Sequence, residues 1–387
     1  MNEGEVRFPI YLDHHATTPV DPRVVDAMVG AMRGLVGNPN SIEHSAGRLA
    51  ARAIECARDE VALLVGCDAA NIRFTASASD AIGKALALAI SRAVVARPKV
   101  AATRVEHPSL LARLDELAGQ GRIEIVWLDV DCRGQLAGTA VSHALSSGID
   151  AFCLMMANNE VGTIYPVDAV LAACRAAGVS TIVDATQAAG RLDLHAVSAM
   201  CDFLIFSAHK IYGPKGIGAL FTADPGPDVD RQFAYAGTPD VPAIVGMGKA
   251  ARLAHDLRSA EQPAMERLRN RLQAGLQSAI DFLVINGDVD SRLSHSLHIS
   301  IPGVPNEAML SRVGHQVAIS TGAACASGAQ GASHVLRAMA LPEALADCAL
   351  RLSVGRFTTE TEIDLAIGII VREARAILQA REEKFAC

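Results

Sequence analysis

Only six of the 35 basic residues in this 387-residue chain are lysines, at positions 84, 99, 210, 215, 249 and 384. Lys210 ends the apolar run "FLIFSAHK" and precedes the turn "YGPKGIG". An amine at a strand end could bond covalently to a carbonyl group; a solvated turn residue is the plainer alternative. Other polar residues follow other apolar runs: Ser77 and Ser79 after "RFTA", Asn158 and Asn159 after "FCLMMA", Asp184 and Gln187 after "TIV", Ser207 and His209 beside Lys210. Free backbone N–H groups where a helix opens near Ser79 would favour an anion such as phosphate. A carboxylate at one strand end and a lysine at a later one suit pyridoxal phosphate, whose aldehyde needs the amine and whose ring nitrogen needs the carboxylate to stay protonated. Taken singly, Asp184 also reads as a helix cap, Ser77 and Ser79 as ordinary N-caps, and His107 in "VEHPSLL" as the start of a helix. Their shared location at strand ends is the stronger signal.

A second constellation lies in "STGAACASGAQGASHVLRAM", where Cys325 is surrounded by small residues. A free thiol has a pKa of about 8.5, so a nucleophilic role needs help from its surroundings; a structural cysteine in a tight loop is the alternative. Arg351 in "LRLSVGRFTT" could grip a carboxylate with two parallel hydrogen bonds, or be a surface strand residue.

The elements that must position these groups can be read from periodicity. "DPRVVDAMVGAMRGL" predicts a helix with Asp21 as N-cap and Pro22 in its first turn, and "SAGRLAARAIECARDEVALLVG" a second helix ending at Gly66. "NIRFTA", "RIEIVWLD", "AFCLMMA", "STIVDA" and "DFLIFSA" predict short strands alternating with helices, hence a mostly parallel sheet covered on both faces. After His255 the pattern changes. A helical stretch from Glu261 leads to "SLHISIPGV", "QVAIST" and "LRLSVG", and then to a final helix with a Thr359/Glu362 capping box. The expected organisation is α/β: a large domain over 16–255, and a smaller α+β domain over 256–387 with 1–15 joined to it.

Half of the residues are apolar, enough for a substantial core, and the net charge of −7 is interspersed, which argues against a nucleic-acid surface. No apolar run reaches membrane-spanning length, and "MNEGEVRFPIYLD" lacks the pattern of a signal peptide. Nine cysteines without a Cys-x-x-Cys pair point away from disulfides and zinc and towards a reducing cytoplasm.

Together, "IYLDHHATTPVDPRV", "GNPNSIEHSAGR", "EHPSLL", "NNEVGT", "VDATQAAGRL", "SAHKIYGPKGIGALF", "GTPDVPAIVGMG", "STGAACASG" and "RLSVGRFTTETEID" resemble the cysteine desulfurases of iron–sulfur assembly, class V aminotransferases, in order along nearly the whole chain. The resemblance implies the pyridoxal-phosphate fold type I and conversion of L-cysteine to L-alanine, with sulfur held as a persulfide on Cys325. Lys210 then bears the cofactor aldehyde, Asp184 pairs with the ring nitrogen, and His107 stacks on the ring and helps move protons. Asn159 and Gln187 contact the ring hydroxyl region, while Ala78, Ser79, Ser207 and His209 hold the phosphate. Thr238 matches a threonine reaching the phosphate site of the partner subunit, implying a homodimer. Arg351 with Asn38 binds the substrate carboxylate. No metal site is implied, apart from transient contact of Cys325 with an iron–sulfur cluster, and a sulfur-acceptor protein is the expected partner. Two departures stand out: the family's Gly-Ala-Thr-Glu-Ser phosphate loop reads "SASDA" here, and the segment before Thr238 is shortened. The alternatives are a selenocysteine lyase or another aminotransferase-like enzyme, or a weakly active scaffold that depends on a sulfur-transfer partner.

Overall fold

The structure, a computed structural model, describes residues 9–233, 237–321 and 333–385. Among the described residues twelve strands occur in chain order: β1 Ile10–Tyr11, β2 Ile72–Thr75, β3 Lys99–Thr103, β4 Glu124–Leu128, β5 Ala151–Met155, β6 Ser180–Asp184, β7 Phe203–Ser207, β8 Gly218–Thr222, β9 Val284–Ile285, β10 Ser296–Ser300, β11 Val317–Ala318 and β12 Ala349–Ser353. Seven of them form one sheet in the order β2-β8-β7-β6-β5-β3-β4, in which β4, β3, β5, β6 and β7 run parallel and β8 runs antiparallel to both neighbours. β5, β7 and β8 are buried along their whole length, as expected for strands covered on both faces. Alternation separates the faces: Ile182, Phe203, Ile205 and Leu220 pack under the helices Ala78–Arg92 and Pro108–Gly119. Val183, Leu204 and Phe206 pack on the opposite side with the helix Ser45–Val65.

Two strands of this sheet are absent from the sequence reading. β3 is "KVAAT", whose alanines carry weak strand preference, and β8 lies inside a Gly/Pro-rich run that reads as a turn. The expected helices are present. Asp21 accepts from Arg23 N at the start of Pro22–Gly34, and Gly66 ends Ser45–Val65 in the left-handed region that glycine favours.

A second apolar cluster gathers around the antiparallel sheet β9-β10-β12 and the helix Glu360–Phe385, whose capping box forms as read, with Glu362 Oε2 accepting from Thr359 N at 2.8 Å. β1 pairs with β11. The helix expected from Glu261 is the later part of one 39-residue helix, Val241–Ala279. Its small early face packs into the first cluster, where a Cβ at Gly248 would meet Ala57 at 2.6 Å. Met265, Leu272 and Leu276 pack into the second. The helix continues while its apolar stripe changes partner, and it runs on through Pro263, which has no backbone N–H to give. Among the described residues no helix is long and apolar enough to cross a membrane.

Candidate active site

Chain order reverses between β3 and β5, so the crevice beyond their carboxyl ends is where such sheets bind ligands. A cavity of about 150 Å³ opens there. The register sets Met155 opposite Asp184, Asp184 opposite Ile205, and Ser207 opposite Gly218, which aligns the ends of β5, β6, β7 and β8 in one row. Of the residues expected from sequence, Ala78, Ser79, His107, Asn159, Asp184, Gln187, Ser207, His209 and Lys210 all line the cavity. Asn38 and Thr238 are exposed and stand outside it. Arg351 is buried behind its wall, with Nη1 donating to Asn159 O at 3.0 Å. Cys325 lies outside the described residues.

Lys210 follows β7 in a short 3₁₀ turn. Its Nζ donates to the carbonyls of His15 and of Ala16, the latter at 2.9 Å. Arg191, itself buried, donates to Gln187 O at 3.2 Å and to Lys210 O at 3.0 Å, so one guanidinium fixes both backbones. Two residues on, Tyr212 holds a left-handed φ of 65°. Thr18 Oγ1 accepts from its N–H at 2.8 Å, Asp21 N donates to its carbonyl at 3.0 Å, and Arg356 lies 4.1 Å from its ring centroid. This network sustains a conformation that costs about 1–3 kcal/mol, as expected beside a functional residue.

Asp184 is buried, and its Oδ1 accepts from Thr186 N at 2.8 Å. His107 caps Pro108–Gly119. Its Nδ1 accepts from Ser109 N at 3.2 Å and lies 2.7 Å from Ser109 Oγ, so Nε2 is the protonated nitrogen of the neutral ring. Burial chiefly, then the nearby Lys210 and His334, push its pKa below the usual imidazole value, while Asp184 pulls the other way. His209 is depressed to about 4 by burial and by Lys210 and Lys215; its Nδ1 lies 3.1 Å from Thr17 Oγ1. Beneath the site, Glu106 is fully buried and pushed up to about 8, mainly by burial and further by Asp184, although Thr103 Oγ1 donates to it at 2.7 Å.

Ser77 opens the helix Ala78–Arg92 by accepting from Asp80 N at 3.1 Å. A Cβ at Gly218 would meet Ser77 C at 2.7 Å and Ala78 N at 2.9 Å, so only glycine lets β8 approach this helix start. The buried oxygens Asn159 Oδ1, Thr186 Oγ1 and Gln187 Oε1 have no hydrogen-bond partner within the protein, although all three residues face the cavity. Sequence reasoning missed Ser109, Thr186, Arg191 and the carbonyls of His15 and Ala16. The "DHHATTP", "EHPSLL" and "VDATQAAGRL" stretches that carry them were already conspicuous as motifs.

The class-V aminotransferase family model matches residues 10–225 and 228–365. The chain is 38% identical over 382 residues to a cysteine desulfurase IscS of Anaeromyxobacter sp. (strain Fw109-5), covering 96% of this chain and 94% of that protein. Among solved structures it is similar to a NifS-like protein, with a TM-score of 0.84 at 29% identity, covering 94% of this chain and 99% of the other. It is also similar to SspA in complex with cysteine, with a TM-score of 0.75 at 26% identity, covering 90% and 99%. The chain belongs to the class-V aminotransferase family and is an enzyme of its cysteine-desulfurase branch.

Proposed function

We propose that the cavity holds pyridoxal 5'-phosphate on Lys210, and that the enzyme converts L-cysteine to L-alanine with the sulfur passing through Cys325 to an acceptor. The observation that carries this reading is that Lys210 and Asp184 face one cavity with the start of a helix on its wall. The lining fits such a group: three buried oxygens lack partners, a carboxylate stands ready for a ring nitrogen, and the N-terminus of a 15-residue helix suits a phosphate. Ala78, Ser79, Ser207 and His209 would hold the phosphate, and Asn159 and Gln187 the ring oxygen.

When bound, the cofactor supplies an electron sink for the substrate Cα–H bond. Asp184 would keep the proton on the ring nitrogen, and the His107 face would orient the ring. Lys210 Nζ would carry the Cα proton. The Cys325 thiolate would attack the substrate sulfur, the electron pair of the broken C–S bond would pass to the carbon, which takes a proton from solvent, and alanine would leave while the sulfur remains as a Cys325 persulfide. Arg351, with Asn38, takes the substrate carboxylate. Residues 16–255 then hold the cofactor, while 1–15 with 256–387 carry Arg351 and Cys325.

A homodimer, with Thr238 facing the partner subunit's phosphate, would cover Met32 (60% exposed), Val36 (82%) and Ile42 (67%), three exposed apolar side chains in and after the last turn of the helix Pro22–Gly34. The acceptor belongs to iron–sulfur assembly in this reading. A reducing cytoplasm would keep Cys325 and the seven free cysteines among the described residues as thiols.

Incubation with ³⁵S-labelled L-cysteine, trapping of persulfides and peptide mapping tests the reading. Label on the peptide containing Cys325, with alanine released, is the expected result. Sulfide release that persists in Cys325→Ser would overturn it.

A further inference from the structure

Arg351 is only 2% exposed, yet its guanidinium is not saturated by protein hydrogen bonds. Nη1 donates to Asn159 O at 3.0 Å, and Nη2 donates to Asp13 Oδ1 at 2.8 Å. Nε is buried without a partner. Nε and Nη2 form the side-on fork that receives both oxygens of a carboxylate. Asp13 occupies half of that fork, and the other half is empty. A structural ion pair can use both donors, as the largely buried Arg356–Glu261 pair does, through Nε at 2.5 Å and Nη2 at 3.3 Å.

Asp13 reaches this place through the backbone. Leu12 N donates to Ala318 O at 2.9 Å and Ser353 N to Leu12 O at 2.8 Å, which wedges the segment after β1 between β11 and β12. Ser320 Oγ donates to the same Asp13 Oδ1 at 3.2 Å, while Ser320 and Arg351 exchange backbone hydrogen bonds at 3.2 and 2.7 Å. One carboxylate oxygen therefore serves both Arg351 and Ser320. On the far side of Arg351 stands Asn159, whose side chain faces the cavity beside Lys210.

We propose that Asp13 is a resting counterion for Arg351, holding the place that a substrate α-carboxylate takes over, and that it thereby sets the affinity of the site for amino acids. Without substrate, a buried guanidinium needs a negative partner, because an unpaired buried charge is costly. A half-filled fork meets that need yet leaves Nε to an entering carboxylate, which gains two donors where Asp13 uses one. Ser320 shares the Asp13 oxygen and so weakens its hold on Arg351. The inference rests on the reading of Arg351 as the residue for the substrate carboxylate.

The test compares Asp13→Asn, Ser320→Ala and Arg351→Gln in the cofactor-loaded enzyme. The readouts are KM for L-cysteine, equilibrium binding of L-alanine followed by the cofactor absorption, and binding of cysteamine, which has the amine and thiol but no carboxylate. In Asp13→Asn the cysteine KM and the alanine Kd fall threefold or more, and cysteamine binding does not change. An unchanged or raised cysteine KM, or an equal shift for cysteamine, overturns the proposal. Should Asp13→Asn fail to fold, Ser320→Ala decides: its cysteine KM and alanine Kd rise about twofold, and no rise overturns the proposal. Arg351→Gln separates the two levels. If it binds cysteine and alanine as the wild type does, the carboxylate reading of Arg351 fails and the role of Asp13 fails with it. If it loses them while Asp13→Asn shows no gain, only the role of Asp13 is lost.

Discussion

At the scale of single residues, the site is a set of charges that burial would penalise and neighbours restrain. Glu106 shows the balance. Its folded pKa is raised to about 8 by burial first and by Asp184 second, against an ordinary value of 4.5. A carboxyl with a raised folded pKa stabilises the protein below the ordinary value and loses that contribution as pH climbs towards 8. Glu106→Gln keeps a neutral isostere, so its stability relative to the wild type should improve by about 2 kcal/mol between pH 6 and pH 8. Melting both proteins across that range checks it, and parallel curves would contradict it. Lys210, Asp184 and Asn159 were legible in the sequence because each ends or closely follows an apolar run, whereas His107 came only from the family resemblance of "EHPSLL", its strand having been passed over. Arg191 was not, since its task is to hold two backbones through contacts that no local pattern encodes. The unequal use of the Arg351 fork was equally invisible, because it depends on Asp13, 338 residues away.

Elements turn those residues into a cradle. The start of the helix Ala78–Arg92 lies against β8 with no room for a Cβ at Gly218, whose added atom would also meet Phe206 O at 2.9 Å. All three obstacles are backbone and cannot rotate away. Gly218→Ala should cost about 1–3 kcal/mol in overpacking and raise the cofactor dissociation constant at least tenfold, measured by equilibrium dialysis. Unchanged cofactor affinity would show that this contact does not shape the phosphate end. Sequence periodicity exposed β5, β6 and β7 because their apolar runs are continuous. It passed over β3 and β8 because alanine and glycine carry little strand signal, although burial holds both in the sheet. The unbroken helix Val241–Ala279 was hidden for a related reason: its apolar stripe moves from one cluster to another, which in sequence resembles a boundary.

Across the whole molecule, the large sheet brings the cavity-lining residues together at its strand ends, while the segment after β1 ties Arg351 and Ser320 to the wall of the same cavity. The alternation of strands and helices made the first arrangement readable from sequence. The second joins the two ends of the chain and becomes visible only in three dimensions. If the proposed dimer forms, it would cover the exposed apolar side chains Met32, Val36 and Ile42. Light scattering should give twice the chain mass, falling to the single mass in Ile42→Asp combined with Met32→Asp; a monomeric wild type would contradict this. The most direct measurement of the central claim is borohydride reduction of the pyridoxal-phosphate-loaded protein followed by peptide mass mapping. The account predicts that the cofactor becomes fixed to Lys210 with loss of the visible absorption band. Attachment to another lysine, or no attachment after saturation with the aldehyde, would contradict it.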